Sequence, residues 1–405
     1  MDLREQRGME LAATRTIQQK AGIWIVPSQV GNGTYRVHLM PKWASCTCPD
    51  YETRQTTCKH IFAARFVLKR EQNVDGSVTE TRSMMVTEQR TTYPQAWTAY
   101  NEAQTSEQDR FQSLLHDLCS GLVSEHPKNG RPRLPLSDAI FNVAFKVYST
   151  VSQRRFMSDL REAHRRGYIS KVPHFNSISN YLENPDLTPI LQSLITKSSL
   201  PLKAIETDFA VDSSGFTTCR FTRWFDHKYG EVREKHDWVK AHLMCGVKTN
   251  IVTAVEIHGR HTHDAKVLPA LATTTAHNFT MNEVSADKGY SSRANTEMIA
   301  SLGAIPFIAF KQNTREDSNG KWGAMYHYFM FKKQDFLAHY HKRSNVESTF
   351  SMMKRKFGDG LRSKTDVAMV NETLCKILCH NIVVLIHEMC ELGIEPLFWK
   401  TPIVQ

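Results

Sequence analysis

Residues 332–357, KKQDFLAHYHKRSNVESTFSMMKRKF, form the stretch that decides the fold. The stretch contains neither Gly nor Pro, and the absence of these helix breakers predicts one long helix. At about 100° per residue, one face of this helix carries four residues within a sector of about 60°. They are Tyr340, Arg343, Glu347 and Lys354. A lone carboxylate among basic side chains suits a metal ion held beside a phosphate backbone. The alternative is a solvated face of intrahelical ion pairs.

The spacing of these four residues is Y-x2-R-x3-E-x6-K, without a gap or a substitution. This pattern resembles the signature of the insertion-sequence DDE transposases. In that family the Glu is the third member of an Asp, Asp, Glu triad that binds two divalent metal ions on an RNase H-like core. The resemblance therefore implies two upstream aspartates, each at or near the end of a strand.

Both expected aspartates have candidates upstream. The segment 204–211, AIETDFAV, predicts a buried strand that runs into Asp212 and the sequence D-S-S-G-F, which is similar to the family's first motif. The segment 283–287, EVSAD, predicts a short strand ending at Asp287, and the following K-G-Y makes it similar to the second motif. Gly289 supplies the backbone freedom that a sharp turn after the carboxylate needs. Between the two aspartates, apolar segments at 220–227, 237–247 and 251–257 predict an antiparallel meander.

The choice of the first aspartate stays open on periodicity alone. Asp208 lies four residues before Asp212, so both side chains are expected on the same face of a strand. Only the D-S-S-G-F context favours Asp212. The resemblance then implies that Asp212, Asp287 and Glu347 are the catalytic residues and the ligands of two Mg²⁺ or Mn²⁺ ions.

The resemblance also implies contacts with DNA beside the metal ions. Arg343 and Lys354 are expected to hold the DNA backbone near the reacting end, with Tyr340 packing or hydrogen bonding beside it. The alternative for these three residues is ion pairing on the helix surface.

A second cluster of chemically distinctive residues lies near the N-terminus. Cys46-x-Cys48 and Cys58-x-His60 are separated by nine residues, and three thiolates with one imidazole suit a closed tetrahedral site for one structural Zn²⁺. The pattern resembles the SWIM zinc finger, a strand-strand-helix module, over residues 20–70. The alternative is four core residues that share a sequence pattern by coincidence. Six basic residues between positions 42 and 70 favour DNA over protein as the finger's partner.

The expected fold class is α/β (α+β), with an RNase H-like core and a mixed sheet, preceded by a small ββα zinc finger and a helical DNA-binding region. Residues 128–171 hold ten Lys or Arg against three Asp or Glu. This charge pattern predicts a helix-turn-helix-like DNA reader with 176–184 in the groove, or alternatively a helical platform for the core. The predicted domains are the zinc finger at 1–70, a linker and interdomain helix at 71–125, the helical DNA-binding region at 126–200, the core at 201–370 and a C-terminal helix at 371–405 that packs on the core.

The charge of the whole chain favours a polyanionic partner. The 405 residues carry a formal net charge of +10, which indicates nucleic acid more than a membrane. We expect no apolar run to reach the ~20 residues that span a bilayer, and the charged N-terminal segment does not match a signal peptide. Nine cysteines without such a signal favour a reducing compartment. We therefore expect a cytoplasmic, nucleoid-associated protein that binds double-stranded DNA as a homodimer.

Taken together, the motifs predict a DNA transposase that cuts at transposon ends in a metal-dependent reaction and transfers the strands into target DNA. One alternative is a domesticated, transposase-derived DNA-binding regulator, which would be marked by the loss of a triad residue. Another is an RNase H-like nuclease without strand transfer. The complete Tyr, Arg, Glu, Lys signature counts against this nuclease.

Overall fold

The computed structural model describes residues 3–29, 31, 33–40, 43–71, 96–123, 134–218, 238–259, 262–311, 314 and 319–399, the side chains of 68–71 excepted. The chain divides into two units, Met1–Pro94 and Gln95–Gln405. The predicted linker falls largely on 72–95 and therefore lies outside the described residues, as does the strand predicted at 220–227.

The first unit is built on an antiparallel sheet with helices before and after it. The strands, in sheet order, are β1 (Gln18–Lys20), β2 (Ile23–Pro27), β3 (Thr34–Leu39) and β4 (Ala44–Cys46). The helices are α1 (Leu3–Thr14), α2 (Pro49–Arg54) and α3 (Lys59–Glu71). Alternate residues of β2 and β3 are buried, including Trp24, Val26 and Val37, and they form one apolar core with Leu11 of α1 and Ile61 of α3. This unit contains both strands and the helix that the zinc-finger pattern predicted, together with two further strands.

The second unit is organised by a mixed sheet of six strands. They are β5 (Asp208–Thr218), β6 (Trp238–Gly246), β7 (Val252–His258), β8 (Glu283–Ala286), β9 (Ile305–Ile308) and β10 (Gly360–Leu361). The order is β7-β6-β5-β8-β9, and β10 pairs with β5. Strands β5, β6 and β7 are antiparallel neighbours, whereas β8 and β10 run parallel to β5, and β9 runs parallel to β8. This arrangement confirms the expected fold class.

Helices cover both faces of this sheet. In chain order they are α4 (Trp97–Thr105), α5 (Glu107–Ser120), α6 (Leu136–Ser149), α7 (Gln153–Arg165), α8 (Phe175–Leu182), α9 (Leu187–Ser199), α10 (Asp264–Asn278), α11 (Arg293–Ser301), α12 (Gly320–Phe331), α13 (Lys333–Tyr340), α14 (Ser344–Phe357) and α15 (Asp366–Leu392). On β5, Phe209 and Val211 join an apolar core with α10 and α11, while Ala210 and Phe216 join a larger core that includes α6, α9, α14 and α15. Burial on both faces explains why the start of β5 is a continuous apolar run.

Helix α15 forms the centre of the larger core. It packs against α4, α5, α6 and α9, and its residues Leu374, Leu378 and Leu385 are fully buried. Among the described helices, it alone has the length and apolar composition to cross a membrane, with a hydropathy of 1.5, and 89% of that segment is buried inside the protein. The expectation that no apolar segment reaches this length was therefore wrong. The helix is largely apolar because it is buried among other helices, although it also buries polar side chains such as Asn371, Glu372 and Asn381.

The segment predicted as one long helix is divided in two. A 3₁₀ turn, His341–Arg343, separates α13 from α14. Side chains bind the carbonyls of this turn, since Ser344 Oγ donates to His341 O at 2.9 Å and Asn345 Nδ2 donates to Lys342 O at 3.1 Å. Such local hydrogen bonds compete with regular helix. Sequence periodicity did not predict the turn because neither Gly nor Pro causes it.

Candidate functional site

Two aspartates lie side by side where β5 and β8 stop pairing. Val211 of β5 and Ala286 of β8 are the last partners in their parallel ladder, and Asp212 and Asp287 are the next residues of each chain. Because parallel strands run in the same direction, Asp212 and Asp287 lie at the same level along the neighbouring strands. Asp287 also begins a 3₁₀ turn, and its Oδ2 accepts a hydrogen bond from the Gly289 N–H at 3.4 Å.

The third carboxylate comes from helix α14. Glu347 lies in the first turn of α14, and its Oε1 is 2.6 Å from Nη1 of Arg343. The same Nη1 is 2.8 Å from Oδ2 of Asp212. The Arg343 guanidinium therefore bridges two of the three predicted catalytic carboxylates. Its Nε is buried and has no hydrogen-bond partner among the described residues.

The other two residues of the signature also face this site. The Tyr340 hydroxyl donates to Asp287 Oδ1 at 3.4 Å, and the Lys354 ammonium donates to Ser214 Oγ at 2.7 Å. An open pocket is lined by Asp212, Ser213, Ser214, Glu347, Phe350, Ser351, Lys354 and Arg355. All six residues predicted for the active site thus come from β5, the end of β8 and the segment from α13 to α14.

The electrostatics of the site favour a bound cation. Burial raises the pKa of Asp212, and the negative charges of Asp287 and Glu347 raise it further. A hydrogen bond from the Ser213 N–H and the charge of Arg343 act in the opposite direction. The negative charges of these carboxylates repel one another in a partly buried site, and a bound cation would relieve that repulsion. Carboxylate oxygens are ligands that Mg²⁺ and Mn²⁺ prefer. The residues present therefore fit divalent metal ions, and Arg343 supplies positive charge at the same carboxylates.

Asp208, the competing candidate for the first aspartate, has a different set of partners. Its Oδ2 is 2.7 Å from the Lys342 ammonium, which also lies 2.7 Å from Glu283 Oε2. His339 Nδ1 is 2.9 Å from the Glu283 carboxylate. Although burial acts against them, the hydrogen bonds from Lys342 and His339 lower the pKa of Glu283. Asp208 is therefore held in a closed ion-pair cluster beside the predicted site, and this supports Asp212 as the ligand.

Sequence reasoning missed this ion-pair cluster and a second polar cluster. Tyr290, three residues after Asp287, places its hydroxyl 3.1 Å from Nδ1 of the fully buried His242. Asp264 accepts a hydrogen bond from Lys240, and a Cβ added at Gly289 would lie 3.0 Å from Asp264 Oδ2. The D-K-G-Y motif thus includes a buried tyrosine and a glycine against which α10 packs closely. The motif letters were the only available signal, since Asp264 lies 25 residues before Gly289 and His242 lies 48 residues before Tyr290.

The cysteines and histidine of the first unit form a compact ligand set. One ligand atom from each of Cys46, Cys48, Cys58 and His60 lies within 4.8 Å of all the others, and Nδ1 of His60 is 3.9 Å from the sulfur atoms of Cys46 and Cys58. All four residues are buried. The hydrogen bond from Cys46 lowers the pKa of Cys58, against the opposing effect of burial, and the hydrogen bond with His60 lowers it further. Three sulfur atoms and one imidazole in this arrangement fit Zn²⁺.

The fold and the acidic site define the class of protein. A mixed sheet with carboxylates on two adjacent parallel strands, at the point where their pairing ends, and a third on a later helix is the arrangement expected of an RNase H-like DDE domain. Residues 203–382 match the family described as Transposase DDE domain. The match contains Asp212, Asp287 and Glu347, whereas the cysteine and histidine cluster precedes it. Comparison with curated proteins and with solved structures found no match.

Proposed function

We propose that this protein cuts DNA at the ends of its own transposable element and joins those ends to target DNA. The observation that carries the proposal is the convergence of three carboxylates: Asp287 lies beside Asp212, and Asp212 and Glu347 line one open pocket and are bridged by the Arg343 guanidinium. This convergence lies within the part of the chain that matches the transposase DDE family.

The three carboxylates would hold two Mg²⁺ or Mn²⁺ ions. When bound, such ions activate the attacking water or 3′-hydroxyl and stabilise the leaving oxygen. Asp212 and Asp287 are positioned by the rigid strands β5 and β8, whereas Glu347 is carried by α14. The reaction needs no covalent intermediate with the protein.

The basic residues of the signature would orient the DNA. Arg343 can pair with carboxylates or with a phosphate, because its planar fork of donors matches both. Burial lowers the pKa of Lys354, so its ammonium gains from a neighbouring phosphate. Tyr340 donates to Asp287 and would keep that carboxylate aligned.

The remaining regions would bind DNA and assemble the complex. The cluster of Cys46, Cys48, Cys58 and His60 would hold one structural Zn²⁺ in a SWIM-type finger whose basic surface contacts DNA. The helical region at 126–200 would add DNA contacts, and two copies of the protein would pair two transposon ends. A protein with this function acts where the chromosome is, in the cytoplasm and at the nucleoid.

The direct test uses labelled duplexes taken from the DNA that flanks the gene. Purified wild-type protein and the Glu347→Gln variant are compared for cleavage and joining with Mg²⁺ and with EDTA. We expect cutting and joining by the wild type in Mg²⁺ alone. If both proteins bind the ends and neither cuts, the DNA-binding regulator becomes the better description, and cutting without joining would favour the nuclease.

A further inference from the structure

A second polar pocket lies at the opposite end of α14 from Glu347. It is formed where the end of α6, the start of α7, the end of α8, Phe357, the segment after β10 and the first half of α15 meet. Its basic lining consists of Lys146, Arg362, Lys364 and Lys376. The acidic residues that line it are Glu183 and Glu372, so positive side chains exceed negative ones by four to two.

The charged side chains that line this pocket differ in whether they already have hydrogen-bond partners within the protein. Both Glu372 oxygens accept hydrogen bonds from the Arg362 N–H, at 3.0 and 2.9 Å. The Lys376 ammonium donates to the carbonyls of Gly358 and Gly360, at 2.9 and 2.8 Å. Glu372 and Lys376 are both buried and hold the turn after α14 in place. Their hydrogen bonds within the protein therefore account for the presence of both charges.

Lys146 is the exception. The residue is only 8% exposed and lines the pocket, yet its ammonium has no hydrogen bond or ion pair within the part of the chain that the structure describes. Burial, together with repulsion from Arg362, lowers the pKa of Lys146 to about 8, against the opposing effect of Glu372. A largely buried lysine whose ammonium has no partner is unfavourable, so the fold alone does not account for a lysine at this position.

Further hydrogen-bond donors surround the same space. Ser152 is the N-cap of the 13-residue helix α7, and its side chain makes no capping hydrogen bond. Ser152 and Gln153 line the pocket, so the positive end of the helix dipole and free first-turn N–H groups face it. Arg362 is exposed and uses one nitrogen on Val151 O at 3.0 Å, which leaves other guanidinium donors for a ligand. An ammonium, a guanidinium and a helix N-terminus together favour a phosphate group.

We propose that the pocket around Lys146, Ser152 and Arg362 binds a phosphate group, and that a backbone phosphate of DNA is its source. The choice of DNA rests on the proposed function, whereas phosphate recognition does not. From Glu347 to Phe357, α14 spans ten residues, or about 15 Å at 1.5 Å per residue. That length corresponds to about four to five nucleotides of one strand. A strand leaving the carboxylates along α14 would pass Lys354 and Arg355 before it reaches this pocket.

The phosphate site is tested first with inorganic phosphate and pyrophosphate. Thermal unfolding is followed for wild type and Lys146→Met, with the exposed Lys333→Met as a control of equal charge that does not line the pocket. We expect both anions to raise the unfolding temperature of wild type and Lys333→Met but not of Lys146→Met. Without anions, Lys146→Met should be at least as stable as wild type, because the variant removes an unpaired buried charge. The proposal would be overturned if the anions raised the unfolding temperature of Lys146→Met as much as that of wild type. It would also be overturned if Lys333→Met lost the anion response to the same extent as Lys146→Met.

The source of the phosphate is tested by the salt dependence of duplex binding. Fluorescence anisotropy on the end duplex should show binding about tenfold weaker for Lys146→Met, with a slope of log K against log salt that is smaller by about one. Lys333→Met should keep the wild-type slope. If the anion response depends on Lys146 but the slope does not change, the site takes a free phosphate anion and the DNA path along α14 is wrong. Because anion and duplex binding are measured without cleavage, failure of the catalytic proposal would not be mistaken for failure of this one.

Discussion

At the scale of single residues, the main feature of the candidate site is that Arg343 occupies the carboxylates that are proposed to hold metal ions. Its Nη1 lies 2.8 Å from Asp212 and 2.6 Å from Glu347. A guanidinium and a divalent ion compete for the same oxygens, since both satisfy them through positive charge. If Arg343 contacts a DNA phosphate as proposed, that phosphate would draw the guanidinium away from Asp212 and Glu347 and leave both carboxylates free for metal ions.

This competition predicts that Arg343→Gln binds metal more tightly when DNA is absent. Removal of the guanidinium leaves the two carboxylates without their cation, so the affinity for Mn²⁺ should rise several-fold, while cleavage falls because a phosphate contact is lost. Mn²⁺ binding is measured by electron paramagnetic resonance titration. Lys354→Gln serves as the control, because its ammonium bonds Ser214 rather than a carboxylate. Equal Mn²⁺ affinity in Arg343→Gln and wild type would argue against carboxylate ligands at this position.

The two neighbouring aspartates give a second prediction at this scale. Asp212→Asn should abolish cleavage, whereas Asp208→Asn should retain most of it and lose about 1–2 kcal/mol of folding free energy through its weakened hydrogen bond with Lys342. Cleavage assays and urea unfolding of both variants separate the two effects. The reverse activity pattern would make Asp208 the ligand.

At the scale of elements, the first unit places its ligands at the junction of a strand and two helices. Cys46 ends β4, Cys48 caps α2, and Cys58 and His60 lie at the start of α3. The sulfur of Cys48 accepts the Tyr51 N–H at 3.4 Å, so the ligand also stabilises a helix end. A metal ion at this point would connect β4, α2 and α3, and a unit with so small a core would gain most of its stability from that connection.

Replacement of one thiol should therefore unfold the first unit alone. Cys58→Ser is expected to lose stoichiometric zinc, because a neutral hydroxyl replaces a thiolate ligand. Metal content is measured by mass spectrometry, and the exposure of each unit is followed by limited proteolysis. Cys390→Ser, which changes a half-buried cysteine of the second unit, should keep its zinc. Full zinc occupancy in Cys58→Ser would contradict the finger.

At the scale of the whole molecule, the core of the second unit joins the predicted DNA-binding helices to the transposase domain. Residues of α5, α6, α7, α8 and α9 share one apolar cluster with β5, β6, α14 and α15. The helical region is thus physically continuous with the sheet, as the platform alternative expected. Its basic exposed faces still permit the DNA contacts that the charge pattern predicts.

The central position of α15 leads to a prediction about stability. Leu378 is fully buried and Leu392, in the same helix, is 51% exposed. Leu378→Ala should cost about 2–5 kcal/mol through lost burial and a cavity, whereas Leu392→Ala should change stability by less than about 0.5 kcal/mol. Denaturant unfolding of the second unit measures both. If both substitutions lowered the free energy of unfolding by similarly small amounts, α15 would not be a core helix. Its apolar composition would then need another explanation, such as contact with a membrane.

Much of the fold and of the candidate site of this protein could be predicted from short sequence motifs. The family, the mixed sheet and the RNase H-like fold were predicted by short motifs and confirmed, because each motif combines a residue type with a spacing that one strand or helix imposes. The six residues proposed for catalysis and DNA contact, and the four proposed for zinc, were chosen in the same way and stay predictions of function. Their convergence in space is what the structure adds in support of them.

Contacts between segments remote in sequence were decided only by the tertiary structure. Lys342 pairs with Asp208 across 134 residues, the 3₁₀ turn at His341–Arg343 divides a segment without breakers, and Lys146 lines the same pocket as Arg362. Periodicity describes which face a side chain occupies along its own element, but not which element lies opposite. The sequence by itself therefore determined the chemistry that each segment can offer. Packing determined which charges neutralise one another and which remain free for a ligand.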